Sequence, residues 1–239
     1  MKILLLGYGK MGKTIERIAV DKGYMIAGKI DISNRSDMDL LTSADVDVVI
    51  EFSSPESAFE NIKYCLEKGW PVVCGTTGWL EHRAEIESLC KEKGGAFFYA
   101  SNYSIGVNLF FRLNRQLARL MEGQNYQVSM TEIHHIHKLD APSGTAITLA
   151  EGVIDERKTL SGWKLAPEDG TGNLQITSKR EGEVPGTHIV RYDSDVDQIE
   201  ISHTAHSRAG FANGAVVSAE WLVGKQGIFG MDDLLKNLD

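Results

Sequence analysis

The densest chemistry in this chain lies in one stretch, Glu132-Ile133-His134-His135-Ile136-His137-Lys138, which runs on into Leu139-Asp140-Ala141-Pro142-Ser143-Gly144-Thr145-Ala146. Three of the seven histidines fall here, beside a lysine. Histidine exchanges a proton near neutral pH, and lysine binds or protonates an anion. If residues 132–138 are extended, Glu132, His134 and Lys138 share one face and His135 and His137 the other. Past the Asp140-Ala141-Pro142 turn, Ser143 reads as a helix N-cap, with the N–H groups of Gly144 and Thr145 facing outward. Such a helix start accepts a carboxylate. A proton donor, a cation and an anion cradle within a dozen residues predict a small anionic substrate. The segment has no HExxH and no cysteine, and zinc takes about four ligands, so no metal is expected.

A second motif sits at the start of the chain. Gly7-Tyr8-Gly9-Lys10-Met11-Gly12 follows an apolar run and opens a helical pattern. Glycines at this spacing let the backbone turn tightly and approach a pyrophosphate, which the helix N-terminus then binds. Asp31 ends the next strand-like run, about 20 residues on, where a carboxylate binds the ribose hydroxyls of NADH and repels a 2′-phosphate. Ile32 follows it; Lys29 and Arg35 keep NADPH as the second choice. Glu51-Phe52-Ser53-Ser54-Pro55, Gly75-Thr76-Thr77-Gly78 and Ala100-Ser101-Asn102-Tyr103 each follow a further strand and are expected to complete the nucleotide side. Cys74 ends an apolar strand with no histidine near it in sequence, so it reads as a buried structural thiol rather than a nucleophile.

These residues need elements to hold them. Residues 3–6, 24–30, 46–50, 71–74 and 96–99 read as buried strands. Met11, Ile15, Ile18 and Ala19 recur at helical spacing, and 55–68 and 79–93 read as helices. Alternating strand and helix predicts a parallel sheet covered on both faces. The pattern then changes. Ile105, Leu109, Leu113, Leu117 and Leu120 make one helical stripe. Strands near 127–134, 174–179, 188–192 and 198–204 follow with fewer helices between them, and 162–172 reads as a polar loop. Helical patterns return at 209–222 and 231–238. The expected fold is α/β: an N-terminal Rossmann-like parallel-sheet domain (1–104 and 208–239) and a smaller α+β domain with an open mixed sheet (105–207).

The chain has 239 residues, enough for a core without disulfides or metal. Its 25 Lys and Arg against 33 Asp and Glu give a net charge of -8, the wrong sign for a nucleic-acid binder. The three cysteines follow no framework spacing, which fits a reducing compartment. No apolar run approaches a membrane span, and the expectation is a soluble, cytoplasmic protein.

Taken together, the motifs resemble the dihydrodipicolinate reductase family over nearly the full length. The resemblance rests on Gly7 to Gly12, Gly75-Thr76-Thr77-Gly78, Ala100 to Asn108, and above all His134 to Ala146. Gly186-Thr187-His188, Glu200 to Ala205 and Arg208 to Ala215 also follow the family's pattern. The resemblance implies roles. His134 is the proton donor and acceptor and Lys138 the second donor; His135, Ser143, Gly144 and Thr145 bind substrate. Gly7, Tyr8, Gly9, Lys10, Met11, Gly12, Asp31, Gly75, Thr76, Thr77, Ala100, Ser101, Asn102 and Tyr103 hold NADH or NADPH. It further implies a small dicarboxylate substrate and a homotetramer. The chain departs from the pattern in a glycine turn one residue shorter than in some members, in Asp31 where others carry glutamate, and in a short segment at 157–173. Another two-domain dehydrogenase of amino-acid metabolism, or a non-catalytic nucleotide sensor, would share the first domain without requiring the His134 to Thr145 segment.

Overall fold

The computed structural model describes residues 1–168, 170–207 and 209–236. Arg208 of the resembling motif and the end of the helix expected at 231–238 lie outside them. In chain order the elements are β1 (Lys2–Leu6), α1 (Lys10–Asp21), β2 (Met25–Ile30), β3 (Val48–Glu51), α2 (Pro55–Glu67), β4 (Val72–Cys74), α3 (Arg83–Lys93), β5 (Ala96–Tyr99) and α4 (Ile105–Leu120). Then come β6 (Gln127–His134), α5 (Gly144–Glu156), β7 (Gly162–Leu165), β8 (Asn173–Arg180), β9 (Thr187–Asp193), β10 (Gln198–Thr204), α6 (Ala209–Leu222), β11 (Gly227–Phe229) and α7 (Met231–Leu235). They form two compact units, one of Met1–Ile105 with Ala209–Asp239 and one of Gly106–Arg208.

The first unit is a parallel sheet ordered β11-β5-β4-β3-β1-β2. Both faces are covered, which is why its inner strands read as apolar runs, while the edge strand β2 carries the exposed Met25 and Lys29. Ile3 and Leu5 point to one core with Ile15 and Ala19 of α1 and Ala212, Ala215 and Ala219 of α6. Leu4 and Leu6 point to the other, with Ile62 and Cys65 of α2 and Ile86 and Cys90 of α3. Strand order reverses at β1, the place where open α/β sheets bind ligands beyond their strand ends. The edge strand β11, three residues long, gave no sequence signal of its own.

The second unit is a mixed sheet ordered β10-β9-β6-β8-β7, with β7, β8 and β6 parallel and β9 and β10 antiparallel. Met130, Leu174, Ile176, Val190 and Tyr192 pack against Phe110 and Ala118 of α4 and Leu149, Ala150 and Val153 of α5. Two expectations change here. Residues 162–172 are not all loop, because Trp163-Lys164-Leu165 pairs with β8. The leucine stripe of α4 lies mostly outward, with Leu109, Leu113 and Leu120 exposed. The buried face runs through Val107, Phe110, Asn114 and Ala118. Asn114 belongs there because its amide donates to the carbonyl of Leu149 at 2.9 Å, tying α4 to α5.

Candidate active site

The first unit gathers its glycine turn and Asp31 at the carboxyl edge of its sheet. Gly7 donates to the carbonyl of Ile30 at 2.9 Å, and Phe52 to that of Leu6 at 2.8 Å. Gly7 has φ +89°, and a Cβ there would lie 2.0 Å from the Phe52 carbonyl oxygen. A Cβ on Gly12 would lie 2.3 Å from the carbonyl oxygen of Gly7. Both glycines are thus demanded by the protein's own packing. Gly9 differs: a Cβ there meets nothing within 4 Å, and its φ of -82° suits any residue. Open space at the turn's middle glycine, at the start of α1, fits the close approach of a pyrophosphate.

Around it, Tyr8 donates a short hydrogen bond to Glu16, and Lys10 and Met11 begin α1. Asp31 is exposed and accepts from the N–H and hydroxyl of Ser33 at 2.8 and 2.6 Å, which holds its carboxyl below the usual range. The two nearby cations are engaged. Lys29 pairs with Glu16 at 2.5 Å, and the Arg35 guanidinium sits 5.0 Å from the Tyr64 ring centre.

The later turns are largely structural in their contacts. A Cβ on Gly75 would lie 2.2 Å from the Phe52 ring. Thr76 is buried and its hydroxyl accepts from the N–H of Ser53 at 2.9 Å; Thr77 is exposed. Ala100 and Tyr103 are buried, and the Tyr103 hydroxyl donates to the Cys74 carbonyl at 2.7 Å. Ser101 is exposed, and the Asn102 side chain accepts from the N–H of Ser104 at 2.9 Å. Burial raises the Cys74 thiol well above its ordinary pKa, consistent with a structural cysteine. One of these turns opens on a residue turned inward rather than toward a ligand. Glu51 is fully buried and accepts from the Ser53 N–H at 3.0 Å and the Cys74 thiol at 3.2 Å.

The second unit builds its cluster from sheet register. On β6, Glu132 lies opposite Ser178 of β8 and His188 of β9, and His134 lies opposite Arg180 of β8. Alternation puts Glu132 and His134 on one face. The Glu132 carboxylate is fully buried. It accepts from the Ser143 N–H at 3.1 and 3.2 Å and the Ser178 hydroxyl at 2.8 Å, with an Arg180 guanidinium nitrogen at 3.5 Å. Its other neighbours are His134 Nδ1 at 3.4 Å and His188 Nε2 at 3.8 Å. These three side chains are close enough to share a cation, but N–H and O–H donors already occupy the carboxylate oxygens.

The extended reading of residues 132–138 fails after His134. There the chain turns: Lys138 N–H donates to the His135 carbonyl at 3.1 Å and Ile136 N–H to that of Gly182 at 3.1 Å. Lys138 therefore shares no strand face with Glu132. The turn brings the His135 and His137 rings within 6.1 Å, although His137 itself is exposed. The Lys138 ammonium is held by Asp140 at 2.8 and 2.9 Å. Arg180 braces the turn through the carbonyls of Lys138 and Asp140 at 3.2 and 2.6 Å.

Beyond it Ser143 caps α5, its hydroxyl accepting from Ala146 N–H at 3.2 Å and lying 3.2 Å from His188 Nε2. Gly144 is exposed, with open space around its Cα, and Thr145 follows in the first turn. Gly186 closes the cluster, since a Cβ there would lie 3.0 Å from His134 Nε2.

Burial lowers the pKa of His134, aided by Lys138 and Arg180 and opposed by Glu132 and Asp140. Burial, with the neighbouring His134, pushes His188 down to about 4. For Glu132 burial acts upward, but hydrogen bonds from Ser143 and Ser178 prevail and keep it below the carboxylate range. His188, Arg180 and Ser178 come from other strands, so no local spacing announced them.

A parallel-sheet unit with a nucleotide-type glycine turn, and a second unit carrying a buried histidine–carboxylate cluster beside a helix start, define an α/β oxidoreductase. The N-terminal model of dihydrodipicolinate reductase matches residues 1–103 and the C-terminal model residues 106–235. The chain is 51% identical over 241 residues to the 4-hydroxy-tetrahydrodipicolinate reductase of Christiangramia forsetii, covering 100% of this chain and 99% of that protein. It is 34% identical over 252 residues to that of Methanoregula boonei, covering 98% and 97%. The fold is similar to the dipicolinate-bound dihydrodipicolinate reductase from Paenisporosarcina sp. TG-14, with TM-score 0.78, 20% identity and 98% of each chain covered. The chain belongs to the dihydrodipicolinate reductase family. Its cofactor is a pyridine nucleotide. Among the described residues no helix is long and apolar enough to cross a membrane.

Proposed function

We propose that the chain reduces 4-hydroxy-tetrahydrodipicolinate to tetrahydrodipicolinate in lysine and diaminopimelate biosynthesis, with NADH favoured over NADPH. The observation that carries the reading is the buried Glu132–His134–His188 row beside the Ser143-capped start of α5. A reduced nicotinamide, when bound, supplies the hydride that adds to C4 of the dehydrated, conjugated ring. His134 protonates the resulting enamine at the neighbouring carbon. The start of α5, at Ser143, Gly144 and Thr145, receives one substrate carboxylate through its N–H groups and dipole. Lys138 and His135 bind the other, and Lys138 assists the proton transfer. In the first unit, Gly7 to Gly12 and Asp31 hold the nucleotide, with Gly75, Thr76, Thr77 and the Ala100 to Tyr103 turn bordering the nicotinamide side.

Three contacts support NADH. Asp31 stays ionised where a 2′-phosphate would sit, and Lys29 and Arg35 are already spoken for by Glu16 and Tyr64. We assign the first unit to the dinucleotide and the second to substrate and to assembly of a homotetramer, working in the cytoplasm. Replacing His134 with Gln tests the chemistry. Turnover is expected to fall about 10²–10⁴-fold with little change in NADH affinity. Turnover near that of the unmodified protein would remove His134 from the reaction.

A further inference from the structure

Glu132 stands outside the roles assigned above, yet it lies against His134, His188, Ser143, Ser178 and Arg180. Its carboxylate is fully buried on the central strand of the sheet. One oxygen lies 3.4 Å from His134 Nδ1, a buried nitrogen with no hydrogen bond among the described residues. Both oxygens accept from the N–H of Ser143, the residue that caps α5. The other nitrogen of the His134 ring, Nε2, is bordered by the Cα of Gly186, which carries no side chain to cover it.

We infer that Glu132 is a positioning residue acting through His134: its charge, 3.4 Å from Nδ1, sets which ring nitrogen carries the proton, and through Ser143 it holds the start of α5. The inference rests on His134 being the proton donor. An ionised carboxylate at Nδ1 keeps a proton there in the neutral ring, so the proton gained and given to substrate is the one on Nε2. One buried group thereby ties the proton donor to the anion-binding helix start.

Several charged or titratable groups set the His134 titration. They are Glu132 on its own strand, Arg180 on β8, His188 on β9, and Lys138 and Asp140 in the turn after β6. Glu132 favours the protonated ring, while Lys138 and Arg180 disfavour it. Replacing Glu132 with Gln removes the favourable charge and keeps the shape. In the full-length protein, NMR titration of the His134 ring should then give a midpoint at lower pH. The alkaline limb of kcat, where the protonated ring is lost, should move the same way. At neutral pH kcat should drop about tenfold or more while KM for NADH holds.

A role in stability alone would lower Tm and leave both titrations in place. In a double-mutant cycle the Glu132→Gln loss should nearly vanish once His134 is already Gln. An unchanged His134 midpoint, or losses that multiply in the double variant, overturns the inference. If Glu132→Gln does not fold, Glu132→Asp replaces it. Its carboxylate is withdrawn by one methylene and should lower the midpoint by a smaller amount; an unmoved midpoint again overturns the inference. If His134→Gln alone keeps full turnover, the proton-donor reading fails, and the ring titration still decides whether Glu132 controls His134.

Discussion

His134 and His188 sit 5.1 Å apart, ring centre to ring centre, and share Glu132, yet they divide the work. His188 is the more enclosed and stays neutral at pH 7, lending Nε2 to the Ser143 hydroxyl. This has a consequence for stability. The folded protein keeps His188 at about 4, below its ordinary 6.5. The unfolded chain takes up a proton as pH falls below 6.5 and the folded one resists until about 4. The contribution is full above pH 6.5 and is lost on the way down to 4; the depressed Glu132 and Asp140 act in the same direction. Thermal unfolding should show Tm falling through this window, with a smaller fall in His188→Gln. An equal fall in both proteins would contradict the account.

At this scale the sequence was informative where chemistry is local. His134 to Thr145 can be read along the chain, and Ser143 caps α5 as its position implies. Ser178, Arg180 and His188 reach the cluster only through the pairing of β6 with β8 and β9, which no spacing encodes. Lys138 was misplaced for a related reason: strand alternation was carried four residues beyond the point where the chain turns toward Gly182.

Elements were legible in proportion to how their burial is patterned. Strands β1 and β3 to β5, covered on both faces, stand out as apolar runs between helical repeats. Helix α4 misled, because its leucines face outward and its core face includes a polar residue, Asn114. The glycine turn is where element geometry makes a test. Gly12→Ala would press a methyl against the Gly7 carbonyl, so it should destabilise the fold by about 1–3 kcal/mol. Gly9→Ala meets nothing in the protein and suits its backbone, so Tm should hardly change. Its added methyl occupies the space assigned to the pyrophosphate, so NADH should bind about tenfold more weakly or worse. Thermal unfolding and NADH titration of the two variants check this. Wild-type NADH affinity in Gly9→Ala would place the nucleotide elsewhere.

For the whole molecule, the net charge of -8 is set against the two ligands of the proposed reaction, both of them anionic. The structure meets this locally rather than globally. Each unit offers a helix start, α1 after Gly9 and α5 after Ser143. Among the described residues, Lys138 and Arg180 are cations that act on His134, each paired with an acid. The family assignment spans both units, and the proposed reaction draws on each. Its most direct test is steady-state kcat/KM for NADH and NADPH oxidation in parallel, with 4-hydroxy-tetrahydrodipicolinate generated in place by its synthase. Oxidation should depend on that substrate, with the larger kcat/KM for NADH. No substrate-dependent oxidation of either nucleotide would contradict the proposed reaction.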